Sequence, residues 1–353
     1  MIRAKGVARA AVVAAVCVAL VSAASAAVVI ETVPVANTGN TGELSGAGAG
    51  GYAPDRICGA VDYQFNIGKY EVTAGQYTAF LNAVAATDTY GLYNTWMWST
   101  DYGCKIERAA TGSGYSYSVA SDWANRPVNY VSFWDACRFA NWLHNGQPTG
   151  AQGAGTTETG AYTLGGYYGQ DGRTIQRNDD WTWAVTSEDE WYKAAYHKND
   201  GDTGNYFDYP TASDSVPSND LTTPDGGNNA NFYDSGYTIG SPYYRTEVGE
   251  FELSESPYDT FDQGGNVWEW NEAIVYEGTD WSSRGLRGGS FSSYDSVLRA
   301  AGRGDFKYYF GDFPTYEGSS IGFRVSAVPE PATMSLLALA GLGMLMRRRA
   351  SRR

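Results

Sequence analysis

Histidine and cysteine are scarce in this chain of 353 residues, with two of the first and four of the second. There is no HExxH helix and no phosphate-cradling loop, which excludes the commonest zinc hydrolase and nucleotide-binding patterns. No internal repeat and no heptad is present, so solenoids and coiled coils are excluded as well. Charge is also sparse: only 18% of residues are Asp, Glu, Lys or Arg. What fills the chain instead is glycine (43), tyrosine (27) and tryptophan (11). That mixture points to irregular, loop-rich chain held by aromatic packing rather than to a helix-dominated fold.

The two ends differ from the rest. Arg3, Lys5 and Arg9 precede an apolar run from Ala10 to Val21, then the small-residue stretch Ser22 to Ala27. This is the layout of a secretory signal peptide over residues 1–26. At the other end, Val328-Pro329-Glu330-Pro331 leads into an apolar run from Ala332 to Met346 and a cluster of five arginines. Fifteen helical residues reach roughly 22 Å, short of the roughly 30 Å hydrocarbon core, so the segment is a transient rather than a permanent membrane anchor. Its basic end would stay cytoplasmic, placing the domain outside the inner membrane. Without these ends, 17 basic residues face 39 acidic ones, a net charge of about −22. Such a surface repels phosphate backbones and suits divalent cations, which argues against nucleic acid as a partner.

Export leaves Cys58, Cys104 and Cys137, enough for one disulfide and one free thiol. A Cys58–Cys104 bridge is the expected pairing, because Cys137 falls on the apolar stripe of a helix. That helix opens with Ser132 and Asp135 in a capping box and carries Phe133, Ala136, Ala140 and Leu143 at helical spacing. Two more boxes, Thr73 with Gln76 and Ser187 with Glu190, open helices with Tyr77, Phe80, Leu81 and Val84, and with Trp191, Ala194 and Ala195. Alternation marks strands at 61–67 and 181–185. Residues 27–60, rich in Gly, Ala, Ser and Thr between 37 and 51, are expected to be a flexible leader, and 145–177 and 199–231 long irregular loops. Everything from 61 to 327 is thus expected to form one α+β domain.

The chain is organised around Gly265-Asn266-Val267-Trp268-Glu269-Trp270, answered by Arg287-Gly288-Gly289-Ser290-Phe291 and Gly322-Phe323-Arg324. Two Trp around one Glu bury a carboxylate that needs a cation: either Arg287 or Arg324, or a hard metal ion. With Tyr70-Glu71-Val72-Thr73 upstream, these stations resemble the formylglycine-generating enzyme, or sulfatase-modifying factor, family. The tail resembles a PEP-CTERM sorting signal and fills 328–353.

The resemblance implies a single irregular, loop-rich domain related to C-type lectin folds. It implies calcium at Asp262, the carbonyls of Gly265 and Val267, and Glu269, and a second site at Asn231 and the carbonyl of Phe232 whose acidic ligand has no counterpart. Trp268, Trp270, Arg287 and Arg324 would brace the core, while Arg299 and Arg303 would line a groove. In catalytic relatives two cysteines after the Gly-Gly-Ser motif bind copper and oxidise a substrate cysteine. The first of those positions is Ser293 here, and no cysteine follows Cys137. A hydroxyl does not replace a thiolate on Cu(I), so copper is not expected. The expectation is a non-catalytic binding or structural protein of the cell envelope, with a polysaccharide or peptide ligand and an exosortase-type processing enzyme as partner. The alternative is an oxidase or other peptide-modifying enzyme that uses non-standard residues.

Overall fold

All three capping boxes form, and each starts a helix. Thr73, Ser132 and Ser187 accept from the backbone N–H three residues on, while Gln76, Asp135 and Glu190 reach back to the cap. Each such cap contributes on the order of 1 kcal/mol. The computed structural model describes residues 27–304 and 313–329. The expected signal peptide and the apolar run of the tail lie outside those residues.

In chain order the strands are β1 (Thr32–Val35), β2 (Glu43–Ser45), β3 (Arg56–Cys58), β4 (Phe65–Gly68), β5 (Ile106–Thr111), β6 (Gly114–Val119), β7 (Trp183–Val185), β8 (Trp268–Glu277), β9 (Ser282–Arg287), β10 (Ile321–Phe323) and β11 (Val325–Ala327). The helices are α1 (Ala74–Val84), α2 (Trp96–Ser99), α3 (Ser121–Ala124), α4 (Phe133–His144) and α5 (Glu188–Tyr196). One sheet has the order β1-β4-β11-β7, a second β10-β8-β9, and β2-β3 and β5-β6 form separate pairs. In the second sheet β10 runs parallel to β8, which sets Gly322 beside Glu269. The outcome is an α+β domain with short strands, few helices and much irregular chain.

Aromatic rings fill the main core. Phe80 meets Phe139 edge-on at 5.3 Å and Trp142 at 5.2 Å, and Phe139 meets Phe323 at 5.4 Å. Cys137 is buried within the same cluster. Trp270 is fully buried and donates its indole N–H to the Val131 carbonyl at 3.0 Å.

Residues 27–60 are ordered into the fold rather than forming a flexible leader. The alternation in Thr32–Val35 turns Val33 and Val35 inward against Phe65 and Ile67 as β1 pairs with β4. The small residues that suggested flexibility permit close approach instead. A Cβ on Gly51 would lie 1.8 Å from the Ala301 carbonyl oxygen, and Ser45 donates to the Ala300 carbonyl at 2.7 Å.

The expected Cys58–Cys104 bridge is not formed either. All three cysteines described are buried free thiols. Cys58 packs with Trp191, Tyr192 and Tyr196, whereas Cys104 belongs to the main core, so the two thiols lie in separate clusters. Burial pushes the Cys58 thiol up to about 11 and raises those of Cys104 and Cys137.

Candidate functional site

Glu269 closes the central question of the motif. Both its oxygens accept from Arg324, at 2.6 Å from Nε and 2.7 Å from Nη2, and the Trp191 indole N–H donates to it at 2.7 Å. The cation facing this carboxylate is therefore the Arg324 guanidinium, whose remaining N–H groups donate to the carbonyls of Gly68 and Phe261 at 2.9 Å each. The bidentate fork is the strongest geometry available to a buried carboxylate.

Arg287 has a different partner, Glu188, at 3.0 Å from Nε. Arg303 grips the same carboxylate at 2.7 and 2.8 Å and donates to the Pro54 carbonyl, and Arg56 reaches it at 2.9 Å. Burial works to raise the Glu188 pKa, yet the three guanidinium groups outweigh it and hold the carboxyl down at about 2. Arg303 is thus a buried brace rather than a groove residue: it is 4% exposed, and its Nε, Nη1 and Nη2 are each engaged by Glu188 or the Pro54 carbonyl. Arg299 does stay at the surface, 41% exposed and 3.9 Å from Asp208.

The expected calcium ligands fare unevenly. Among the described residues no group of three or more His, Cys, Asp or Glu is placed to hold a metal. Glu269 is committed to Arg324. Asp262 accepts from the Gly249 N–H at 2.6 Å, and burial lifts its carboxyl to about 6. Gly265 is pinned by close packing, since a Cβ there would lie 2.1 Å from the Asn231 carbonyl oxygen. One residue changes this picture. Glu71 is 2% exposed and neither of its oxygens has a partner. Burial raises its pKa, and the Asp262 charge raises it further. Three carboxylates, Glu71, Asp262 and Glu269, therefore surround a single guanidinium. That excess of negative charge requires protons or a cation. Of the three, Glu269 is held by Arg324 and Asp262 by the Gly249 N–H, whereas the Glu71 oxygens have no hydrogen-bond partner.

At the second expected site the Asn231 amide donates to the Tyr244 carbonyl at 3.0 Å and to Asn266 at 2.9 Å, and its Oδ1 is left without a partner. The Phe232 carbonyl accepts from Asn219 and Thr238 at 3.3 and 3.2 Å. Among the described residues no acid completes the set.

Ser293 lies in a small cluster of hydroxyls. Its Oγ accepts from the Ser290 N–H at 3.0 Å and lies 3.2 Å from Ser290 Oγ. Neither histidine serves as its base: His144 accepts from Thr182 at 3.1 Å, and His197 is buried against Tyr258 and the Thr203 carbonyl. A serine with no base is a poor nucleophile.

Around that loop the structure gathers what spacing could not show. Tyr102, Tyr244, Tyr237, Tyr233 and Tyr294 form a chain of ring contacts at 4.8, 5.3, 5.2 and 5.6 Å. Phe291, buried and two residues before Ser293, packs under Tyr102, Tyr237 and Tyr244. The Tyr233 N–H donates to the Ser293 carbonyl at 2.8 Å, tying the patch to the loop. Tyr294 is 63% exposed, Tyr237 43% and Tyr102 39%. Below them Arg245, fully buried, donates to the carbonyls of Tyr102 and Gly103 and fixes that loop.

These residues come from three separate loops, which is why no local pattern announces the patch. Glu71 was legible only as part of a motif, and its isolation follows from the chain folding back onto Arg324.

The sulfatase-modifying factor enzyme 1-like domain matches residues 36–327, and the PEP-CTERM protein-sorting motif matches 327–350. No curated protein matches. Among solved structures, CarF shares 20% identity at a TM-score of 0.48, covering 85% of this chain and 99% of its own. Treponema denticola variable protein 1 shares 17% at 0.48, covering 84% and 95%. PvdO from Pseudomonas aeruginosa shares 19% at 0.41, covering 78% and 84%. The chain belongs to the sulfatase-modifying factor enzyme 1-like domain family and carries a C-terminal PEP-CTERM sorting motif.

Proposed function

We propose that this exported, envelope-sorted chain is a binding module that does not carry out the copper-dependent cysteine oxidation of its resembled family. The observation that supports it is the exposed tyrosine patch lying over the position where that family places its first copper cysteine. Ser293 offers a hydroxyl there, and the three described thiols, Cys58, Cys104 and Cys137, are buried in the core with raised pKa values, so none of them is a thiolate poised for Cu(I).

The ligand class follows from the patch. Tyrosine combines a flat apolar face with a hydroxyl at low entropic cost, which suits the C–H faces and hydroxyls of sugar rings. The strongly acidic chain disfavours a polyanion. A neutral envelope polysaccharide is therefore the proposed ligand. Its test is co-sedimentation of the mature domain with neutral and with uronate-containing polysaccharides. The Tyr237→Ala, Tyr294→Ala double variant should lose retention on the neutral polymer at unchanged thermal stability. Retention equal to wild type would refute the assignment, and binding of cysteine-containing peptides instead would favour the peptide reading.

Calcium is proposed as a stiffening ion held by Glu71, Asp262 and the carbonyls of Gly265 and Val267, with Glu269 excluded from the shell. Its contribution would be structural, neutralising the buried charge beside Arg324.

A further inference from the structure

Strand β11 is an interior strand of its sheet, bonded to β4 on one side and β7 on the other. The register continues one residue further, with the Val328 N–H donating to the Thr182 carbonyl at 3.0 Å. Only Pro329, Glu330 and Pro331 separate that bond from the apolar run beginning at Ala332. Four residues span at most about 14 Å. The apolar run of the sorting segment therefore begins within that distance of the folded surface, with no spacer between them.

The surface at that point is concave. A cavity of about 420 Å³ opens beside Val328, walled by Tyr63, Gln64, Asn178, Asp179 and Trp181. Arg177 and Glu272 form its floor and are shared with a second cavity of about 330 Å³. The two cavities are therefore neighbours, a trench with Val328 in the lining of its first part. Its floor is rigid: Arg177 bonds Glu190 at 2.7 and 2.9 Å and Glu272 at 2.9 Å, and stacks 4.2 Å from the Trp181 ring. A pre-organised trench with amide, carboxylate and aromatic walls matches the anatomy of a protein-docking surface.

We infer that the trench beside Val328 is the surface on which the membrane-embedded processing enzyme of the exosortase type docks while it acts on the sorting segment. The inference rests on the reading of residues 327–350 as a sorting motif. It is independent of the tyrosine patch. Docking on the trench would hold the segment beside the enzyme, so that substrate selection depends on the folded domain as well as on the Pro-Glu-Pro sequence.

The test uses the full chain in a host that contains the processing enzyme, with tail-on and tail-off forms resolved by intact mass. Gln64→Trp and Asp179→Arg alter exposed walls of the trench. Each should slow removal of the tail about tenfold, as expected when a contact of roughly 1.4 kcal/mol is lost, while the purified proteins unfold at the wild-type temperature. A ten-residue Gly/Ser spacer inserted between Val328 and Pro329 should also slow it, by moving the segment off the docking surface. Wild-type rates in the trench variants, or a spacer that leaves the rate unchanged or speeds it, overturn the proposal; a faster spacer variant would mean that the domain only crowds the site. A wild-type chain that never loses its tail refutes the processing step itself, an outcome distinct from failure of the trench.

Discussion

Arg324 and Glu269 form a bidentate ion pair at 2.6 and 2.7 Å, with both side chains sealed from solvent. Strands β10 and β8 bring them together, and the pair occupies the place where a metal ion could otherwise have been inferred from the motif. Removing one partner leaves the other charge buried alone. Glu269→Ala and Arg324→Ala should each cost about 3–5 kcal/mol, and the double variant much less than the sum. Urea denaturation of the four proteins checks this. Additive costs would show that the pair is not the coupling.

The proposed calcium site assigns Glu71 and Glu269 different roles. Terbium luminescence, sensitised by Trp191 beside Glu269, should report one saturable site that calcium competes for. Glu71→Gln should abolish it and also remove any loss of thermal stability caused by a chelator. If wild type neither binds terbium nor responds to the chelator, Glu71 and Asp262 are neutralised by protons instead.

A buried acid pair gives the domain a pH dependence of definite sign. Burial, then the neighbouring Asp135 charge, lifts Glu317 to about 8, and Asn94 and Asp135 hydrogen-bond to it. Asp135 itself is lifted to about 6 by burial. The folded chain therefore holds a proton that the unfolded chain releases between about pH 4.5 and 8. Stability from this source is present below that window and declines as pH rises through it, by up to about 1.4 kcal/mol per unit. Glu317→Gln should flatten the decline. Glu188 acts oppositely at the acid end, since its depressed carboxyl loses stability as pH falls from about 4.5 towards 2.

Thiol accessibility tests the cysteine assignment. The mature chain should show no alkylation of Cys58, Cys104 or Cys137 while folded, and three additions after denaturation without reductant. Two cysteines protected after unfolding would restore the disulfide.

Local signals were the readable ones. The caps at Thr73, Ser132 and Ser187 depend on residues three apart, and the helices form where those signals stand. The helical stripe around Cys137 likewise identified a core residue. Arg287 and Arg324 were readable as braces and as the two candidate cations for Glu269, but the choice of Arg324 and the pairing of Arg287 with Glu188, 99 positions away, were not, because only the tertiary fold sets them. The order of residues 27–60 was not legible, because poverty in apolar bulk does not reveal that Val33 and Val35 suffice to pin a short strand or that Gly51 serves a backbone contact. The tyrosine patch assembles residues 102, 233–244 and 291–294, a relation that only the tertiary fold creates.

The proposed absence of the family oxidase is tested most directly by mass spectrometry of cysteine-containing sulfatase-type peptides incubated with the mature domain, copper and oxygen. A catalytic relative would be run in parallel. The account predicts that the relative converts cysteine to the aldehyde and that this protein leaves the peptide unchanged. Conversion by this protein would contradict the account and place catalysis at the Ser290–Ser293 loop.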